Sequence, residues 1–152
     1  MSNLNLSHLF RGPHFLISSL LHHQGIGIRL NSLVDTGAQG FLFLNSQIAS
    51  SVSTALRQPI RKLPYPVQVR GFKDKITSNV THYIRLHFNI DGRKILNCPF
   101  IILDLGSQDC IIGIQWLRRF KIKLDSDRLR LVWPSKYPPS FDPSPPIPTI
   151  LH

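Results

Sequence analysis

The sequence predicts an all-β domain that contains one or two short helices. Apolar side chains recur in short runs that alternate with polar ones, which is the pattern of strands with one buried face. Turn-forming residues separate these runs, and helical periodicity is confined to two segments. The strand-like runs are residues 15–21, 25–34, 41–44, 67–70, 82–90, 94–102 and 128–133.

One connection is predicted directly by its turn residues. Asp91-Gly92 separates an alternating run at residues 83–88 from an apolar pair at 95–96. An Asp-Gly pair favours a two-residue turn because both positions adopt positive φ at low cost. The sequence therefore predicts a β-hairpin here.

Two segments have the periodicity of short helices. Residues 45–56 form the first, since Asn45 or Ser46 can accept hydrogen bonds from the first turn. The second covers residues 114–120. The predicted buried face of the first helix consists of Ile48, Ala49, Val52 and Leu56.

Length and composition predict one folded unit with a separate tail. A chain of 152 residues suits one domain with a real core. Seven of the twelve prolines lie between Pro134 and Pro148, in a stretch with too little apolar surface to offset the cost of ordering. We expect an N-terminal extension at residues 1–13, a folded domain at 14–133 and a proline-rich disordered tail or linker at 134–152.

The charge of the chain favours weak attraction to nucleic acid. Eighteen Lys and Arg residues against eight Asp residues and no Glu give a formal net charge of +10. The basic residues are scattered, without a zinc knuckle, a helix-turn-helix pattern or aromatic residues at stacking spacing. We therefore expect non-specific, salt-sensitive attraction to RNA, with specific RNA binding as the minor alternative.

Cysteine and histidine spacing predicts no metal site and no cofactor. Cys98 and Cys110 lie outside any Cys-x-x-Cys or Cys/His ligand pattern, so two buried thiols are expected. The seven histidines form no ligand set. The apolar stretch at residues 15–21 is too short to span a bilayer and lacks a good signal cleavage site, so we expect no membrane association and an intracellular chain.

The clearest chemical signal is Asp35-Thr36-Gly37-Ala38. A carboxylate here ends an apolar strand and precedes residues suited to a tight loop. A buried carboxylate is costly without partners, so Asp35 is either a functional group or an ordinary turn residue. The tetrapeptide alone leaves both readings open.

A second element, Ile111-Ile112-Gly113, makes the functional interpretation more specific. It ends an apolar strand and opens the second predicted helix. With both motifs in this order, residues 14–133 resemble retropepsins, and most closely the proteases of long-terminal-repeat retrotransposons. The resemblance implies a closed β-barrel of the acid protease fold, with one lobe per chain.

The resemblance also implies a role for each matched residue. Asp35 would supply one of two carboxyls that share a proton and activate water. Thr36 would hold the loop by hydrogen bonds that reach the opposite chain, Gly37 would allow close backbone approach and Ala38 would leave room for substrate. The supporting segment packed behind the loop would be Ile111, Ile112 and Gly113.

Only one convincing aspartate loop is present, because Asp104-Leu105-Gly106 lacks the hydroxyl residue and is predicted to be a turn. A complete site then requires a symmetric homodimer. A flap would close over an extended peptide that binds as an added strand. The flap candidates are Arg70, Gly71, Phe72, Lys73 and Asp74.

The expected function is aspartic endopeptidase activity on a retroelement polyprotein, in the cytoplasm or within a retroelement particle. The alternative is a catalytically inactive, dimeric peptide- or RNA-binding module that keeps the fold. A retropepsin of the proteasome-shuttle type would carry a ubiquitin-like region, and none is recognisable in this sequence.

Overall fold

A computed structural model describes residues 3–6, 10, 12–70 and 76–136 of the chain. Within these residues there are ten strands and two helices. The strands are β1 (Asn3–Asn5), β2 (His14–His23), β3 (Ile26–Asp35), β4 (Leu42–Asn45), β5 (Arg61–Arg70), β6 (Ile76–Ile90), β7 (Arg93–Leu103), β8 (Cys110–Ile112), β9 (Lys123–Asp125) and β10 (Arg130–Val132). The helices are α1 (Ser46–Leu56) and α2 (Ile114–Arg119).

Six of the described strands close into a barrel. The ring runs β6-β2-β3-β8-β4-β7, and it closes because β7 pairs with β6 as well as with β4. β5 lies outside the ring against β6, and β1 pairs with the outer edge of β5. The predicted closed barrel with two short helices is confirmed.

Strand β8 positions the segment that follows β3. It pairs parallel with β3, where Val34 faces Ile112, and antiparallel with β4, where Leu42 faces Ile112. β8 therefore lies between the strand that enters the Asp35 loop and the strand that leaves it. The loop is braced from behind by this three-strand arrangement.

The core fills the barrel and continues under α2. The residues of β4 are all buried, since both faces of this strand are covered. Phe88 packs edge to face on Phe100 and on Trp116, with ring centroids 5.4 Å and 6.2 Å apart. Trp116, which is fully buried, joins α2 to the barrel.

Both predicted helices are confirmed, with ends that differ by one residue. The Asn45 side chain accepts a hydrogen bond from the Gln47 N–H at 3.0 Å and so caps α1. Of the predicted face, Ala49, Val52 and Leu56 are buried, and Ile48 is partly buried against the core.

The predicted turns are also confirmed. Asp91 and Gly92 both have positive φ, 52° and 73°, and join β6 to β7 as a two-residue hairpin. Asp104 accepts a hydrogen bond from the Gly106 N–H at 3.0 Å, which makes this segment a turn.

The predicted strand-like runs 67–70 and 82–90 are shorter than β5 and β6, and no run corresponds to β1 or β9. Pro64 and Pro66 argue against a strand, yet they lie inside β5, at the register shift between Lys62 and Val67. An irregular pairing needs fewer donors, so the prolines are tolerated there. β1 and β9 have three residues each, too few for periodicity to be seen.

The predicted domain boundaries stay predictions. β1 lies within the proposed N-terminal extension and is part of the sheet. At the other end, the Arg93 guanidinium lies 4.6 Å from the centre of the Trp133 ring, and residues 137–152 lie outside the described part of the chain. Neither described helix is long and apolar enough to cross a membrane.

Candidate active site

Asp35 is the last residue of β3 and has none of its surface exposed. Its Oδ1 accepts a hydrogen bond from the Gly37 N–H at 2.8 Å, and its backbone carbonyl accepts one from the Ala38 N–H at 3.2 Å. These bonds fold Thr36 and Gly37 into a tight turn that fixes the carboxylate at the end of the strand.

The N-terminal segment supplies the other partners of this loop. The Phe10 N–H donates to Asp35 Oδ2 at 2.9 Å. The Pro13 carbonyl accepts from both the Thr36 N–H, at 3.3 Å, and Thr36 Oγ1, at 3.2 Å. Both carboxylate oxygens of Asp35 are therefore hydrogen-bonded within one chain.

The predicted supporting segment does lie behind the loop. Ala38, which is fully buried, accepts the Ile114 N–H through its carbonyl at 2.9 Å, and the Gly40 carbonyl accepts the Gln115 N–H at 3.0 Å. A Cβ on Gly113 would collide with the Gly40 carbonyl oxygen. A glycine is thus required where α2 begins, because the two backbones approach too closely for a side chain.

Ile111 and Ile112 complete the brace. Both are buried, and each is paired on two sides by β3 and β4. The structure therefore brings together Asp35 and its loop residues Thr36, Gly37 and Ala38 with the whole predicted supporting segment.

The flap candidates fall mostly outside the described residues. Arg70 ends β5, and β6 resumes at Ile76 as its antiparallel partner. Gly71, Phe72, Lys73 and Asp74 lie between them and are outside the described part of the chain. Their assignment as a flap stays a prediction.

Sequence reasoning recognised Asn45 only as a helix cap, whereas its side chain also holds the loop before β8. Asn45 Nδ2 donates to the carbonyls of Gly106, at 3.0 Å, and Gln108, at 2.8 Å. Its Oδ1 accepts from the Leu105 N–H at 3.4 Å in addition to the cap. No local sequence pattern predicts this role, because the carbonyl partners of Asn45 lie about sixty residues further along the chain.

The cysteines are unsuited to nucleophilic chemistry. Burial raises the pKa of the Cys98 thiol well above its ordinary value and that of Cys110 to about 12. Both thiols therefore stay protonated at neutral pH, and Cys110 packs beside Ser32 under the Asp35 strand. No cluster of three His, Cys, Asp or Glu residues in the described chain is arranged to hold a metal ion.

The model of the PEG10/RTL1 protease domain family matches residues 31–139, well over half of the chain. The chain belongs to the PEG10/RTL1 protease domain family. The match begins in β3, four residues before Asp35, and includes the entire brace behind the loop. The predicted retropepsin-like identity is confirmed.

A solved structure shows the same fold. This PEG10/RTL1 protease domain is similar to the retroviral protease-like domain of Ddi1 from Leishmania major, with a TM-score of 0.57 and 18% sequence identity. The alignment covers 83% of this chain and 92% of that chain. At such low identity the similarity supports the fold alone. A search of curated proteins found no significant match.

Proposed function

We propose that the chain is an aspartic endopeptidase that acts as a homodimer, with Asp35 of each chain at the shared site. The observation that carries the proposal is the fixed carboxylate of Asp35, which ends β3 and is held by the Gly37 N–H. It lies within a PEG10/RTL1 protease domain, in a loop braced by β8. A carboxylate with no chemical role would have little reason to be held there.

The chemistry requires a second carboxylate, and one chain offers only one loop of this kind among the described residues. Two carboxyls within about 3 Å share one proton, because two negative charges at that distance cannot both persist. One carboxyl then takes a proton from water while the other gives its proton to the scissile carbonyl oxygen. A two-fold axis beside Asp35 would supply the pair.

The outer edge of β5 favours an extended peptide as the substrate. β5 lies outside the closed ring, and its outer edge already takes an added strand, β1, so an extended peptide can pair there in place of β1. An extended peptide bound there would present alternate side chains to the barrel, which favours apolar residues beside the cut. We propose a retroelement polyprotein as the natural substrate, and the net charge of +10 would add weak attraction to any RNA bound to it.

Peptide cleavage tests the proposal. A diverse peptide library is incubated with wild-type protein and with Asp35→Asn between mildly acidic and neutral pH. We expect cleavage between apolar residues by the wild type and a loss of at least about a thousandfold in Asp35→Asn, since the proton-sharing pair is broken. Asp104→Asn, in the similar but non-catalytic turn, serves as the matched control and should cleave normally.

One observation favours a second function. Asp35 is inaccessible to water in the single chain, with both oxygens hydrogen-bonded. A chain whose Asp35 carboxylate never becomes accessible would be catalytically inactive, and it would then serve as a dimeric peptide- or RNA-binding module. Absence of cleavage by both wild type and Asp35→Asn at a protein concentration at which dimers form, with peptide binding retained, would support this alternative and contradict the protease.

A further inference from the structure

The described residues of the N-terminal segment lie along the surfaces that the proposed protease needs. Asn3, Leu4 and Asn5 of β1 pair parallel with Gln68, Val69 and Arg70 of β5. Leu6 is buried, with 5% of its surface exposed. Together with Phe10, Gly12 and Pro13, these residues are called here the N-terminal plug.

The plug uses the edge of β5 that an extended peptide would use. β1 bonds to β5 immediately before residue 71, next to the predicted flap. The outer edge of a strand can hold only one partner at a time. A peptide that binds here must therefore displace β1.

The plug also bonds to the reacting group. The Phe10 N–H donates to Asp35 Oδ2 at 2.9 Å. The other oxygen, Oδ1, accepts the Gly37 N–H. While Phe10 stays in place, each carboxylate oxygen of Asp35 already accepts a backbone hydrogen bond, and Phe10 must leave before Oδ2 can bond a partner carboxyl or a water instead.

Thr36 is bonded in the same way. Its N–H and its hydroxyl both donate to one acceptor, the Pro13 carbonyl, at 3.3 Å and 3.2 Å. These are the donors that the proposed dimer would direct to the opposite chain. The plug thus replaces in one chain the hydrogen bonds that a second chain would supply.

The contact depends on a glycine. A Cβ on Gly12 would collide with Thr36 Oγ1 and would lie 3.3 Å from the Gly37 nitrogen. Phe10, on the other side, has a φ of 67°, a conformation that non-glycine residues adopt at a cost. A side chain at residue 12 would therefore force either the plug or the Thr36 side chain to move, and Phe10 is held under some backbone strain.

We propose that the N-terminal plug is a built-in inhibitor that holds the single chain inactive by competing with both peptide and second chain. The inference rests on the proposed protease function. Only molecules that have released the plug can dimerise or bind peptide. The apparent dissociation constant therefore equals the intrinsic one divided by the fraction of molecules without the plug in place. Release of the plug activates the site.

Gly12→Ala tests the plug, because its methyl group would collide with Thr36 Oγ1, and not with Asp35, and should therefore weaken the contact between the plug and the loop. We expect a dimer dissociation constant at least tenfold lower by sedimentation equilibrium, and faster cleavage at low protein concentration. Gly27→Ala is the matched control. Its Cβ would meet only the end of the flexible Leu20 side chain, 3.0 Å away in the β2–β3 hairpin, so dimerisation should be unchanged.

The same pair of substitutions, compared for dimerisation with no peptide present, separates this inference from the proposed function. Dimerisation is then measured without cleavage, so a gain caused by Gly12→Ala supports the plug whether or not the wild type is a protease. A folded Gly12→Ala protein that dimerises no more tightly than Gly27→Ala would overturn the proposal.

Amide hydrogen exchange of the wild type provides a test that needs no variant. The Phe10 and Thr36 amides should be protected in dilute monomer, where they are bonded to Asp35 and Pro13. Phe10 should lose its protection as the protein concentration is raised and dimers form. Rapid exchange of Phe10 in the monomer, or protection that persists in the dimer, would contradict the proposal.

Discussion

A single amide side chain, that of Asn45, joins α1 to the loop that leads into β8. Four backbone groups depend on it, two as donors and two as acceptors. Only 4% of its surface is exposed, so water cannot replace these bonds. At the scale of one residue, Asn45 therefore helps to position β8 behind the Asp35 loop, although Asn45 belongs to neither the Asp35–Ala38 motif nor the Ile111–Gly113 motif.

Asn45→Ala should cost more stability than the loss of an ordinary helix cap. A cap contributes about 1 kcal/mol, and each buried backbone group left unbonded adds about 1–3 kcal/mol. The free energy of unfolding, measured by urea titration, should fall by about 3 kcal/mol or more. Asn45→Asp keeps both acceptor bonds and loses both donor bonds, so it should lie between wild type and Asn45→Ala. Equal stabilities of the two variants would show that the acceptor bonds to Gln47 and Leu105 contribute nothing.

At the scale of elements, the pairing of β6 with β7 contains an irregularity at His87. The register shifts between Leu86 and Phe88, and Asn97 opposite has a φ of 60°. The Asn97 N–H donates to His87 Nδ1 at 3.1 Å, and the His87 N–H donates to His23 Nε2 at 3.3 Å. The bulge thus depends on two imidazoles that accept hydrogen bonds and must be unprotonated to do so.

These imidazoles should make the fold sensitive to acid. Burial, the neighbouring His23 and His22 rings and Lys94 lower the pKa of His87 from its ordinary 6.5 to about 4. The pKa of His23, stacked at 3.9 Å, is lowered by burial and by His22. A lowered pKa means that the unfolded chain binds more protons between pH 6.5 and 4, so stability falls as the pH drops through this window.

The pH dependence can be measured by urea titration from pH 7 to pH 4. Each such histidine adds a slope of at most about 1.4 kcal/mol per pH unit. His87→Gln keeps an acceptor but does not titrate, so it should flatten the curve. His82→Gln, whose ring bonds Thr81 outside the cluster, is the control. An unchanged slope in His87→Gln would exclude the bulge as the acid-sensitive point.

At the scale of the whole molecule, one chain is a complete barrel that holds half of the proposed site. We expect sedimentation equilibrium to show a weak dimer whose interface includes the Asp35 loop. Asp35→Asn should still dimerise, because the substitution keeps the size of the side chain and one oxygen that can accept the Gly37 N–H. A chain that stays monomeric at high concentration, even as Gly12→Ala, would contradict the shared site.

The sequence predicts the parts of this molecule that are encoded locally. Alternation, the Asp91-Gly92 turn and the Asn45 cap each act over a few residues, and all three are confirmed. The Asp35 loop and its brace were predictable because each carries a distinctive motif. The contacts of Phe10 and Pro13 with that loop could not be predicted, because they are made by a backbone N–H and a backbone carbonyl. Almost any residue can supply these groups, so the sequence contains no signal for them.

Pro64 and Pro66 of β5 limit the pairing of this strand with strands of other molecules. β5 is the strand whose outer edge is not sealed by the closed ring, and β1 covers only residues Gln68–Arg70 of it. Along the remainder, Pro64 and Pro66 lack N–H groups, so this stretch is a poor template for edge-to-edge stacking. Removal of β1 would therefore expose unpaired backbone groups at three residues of β5, Gln68–Arg70. Three residues can pair with a peptide, but they are too few to support the edge-to-edge stacking of strands in fibres.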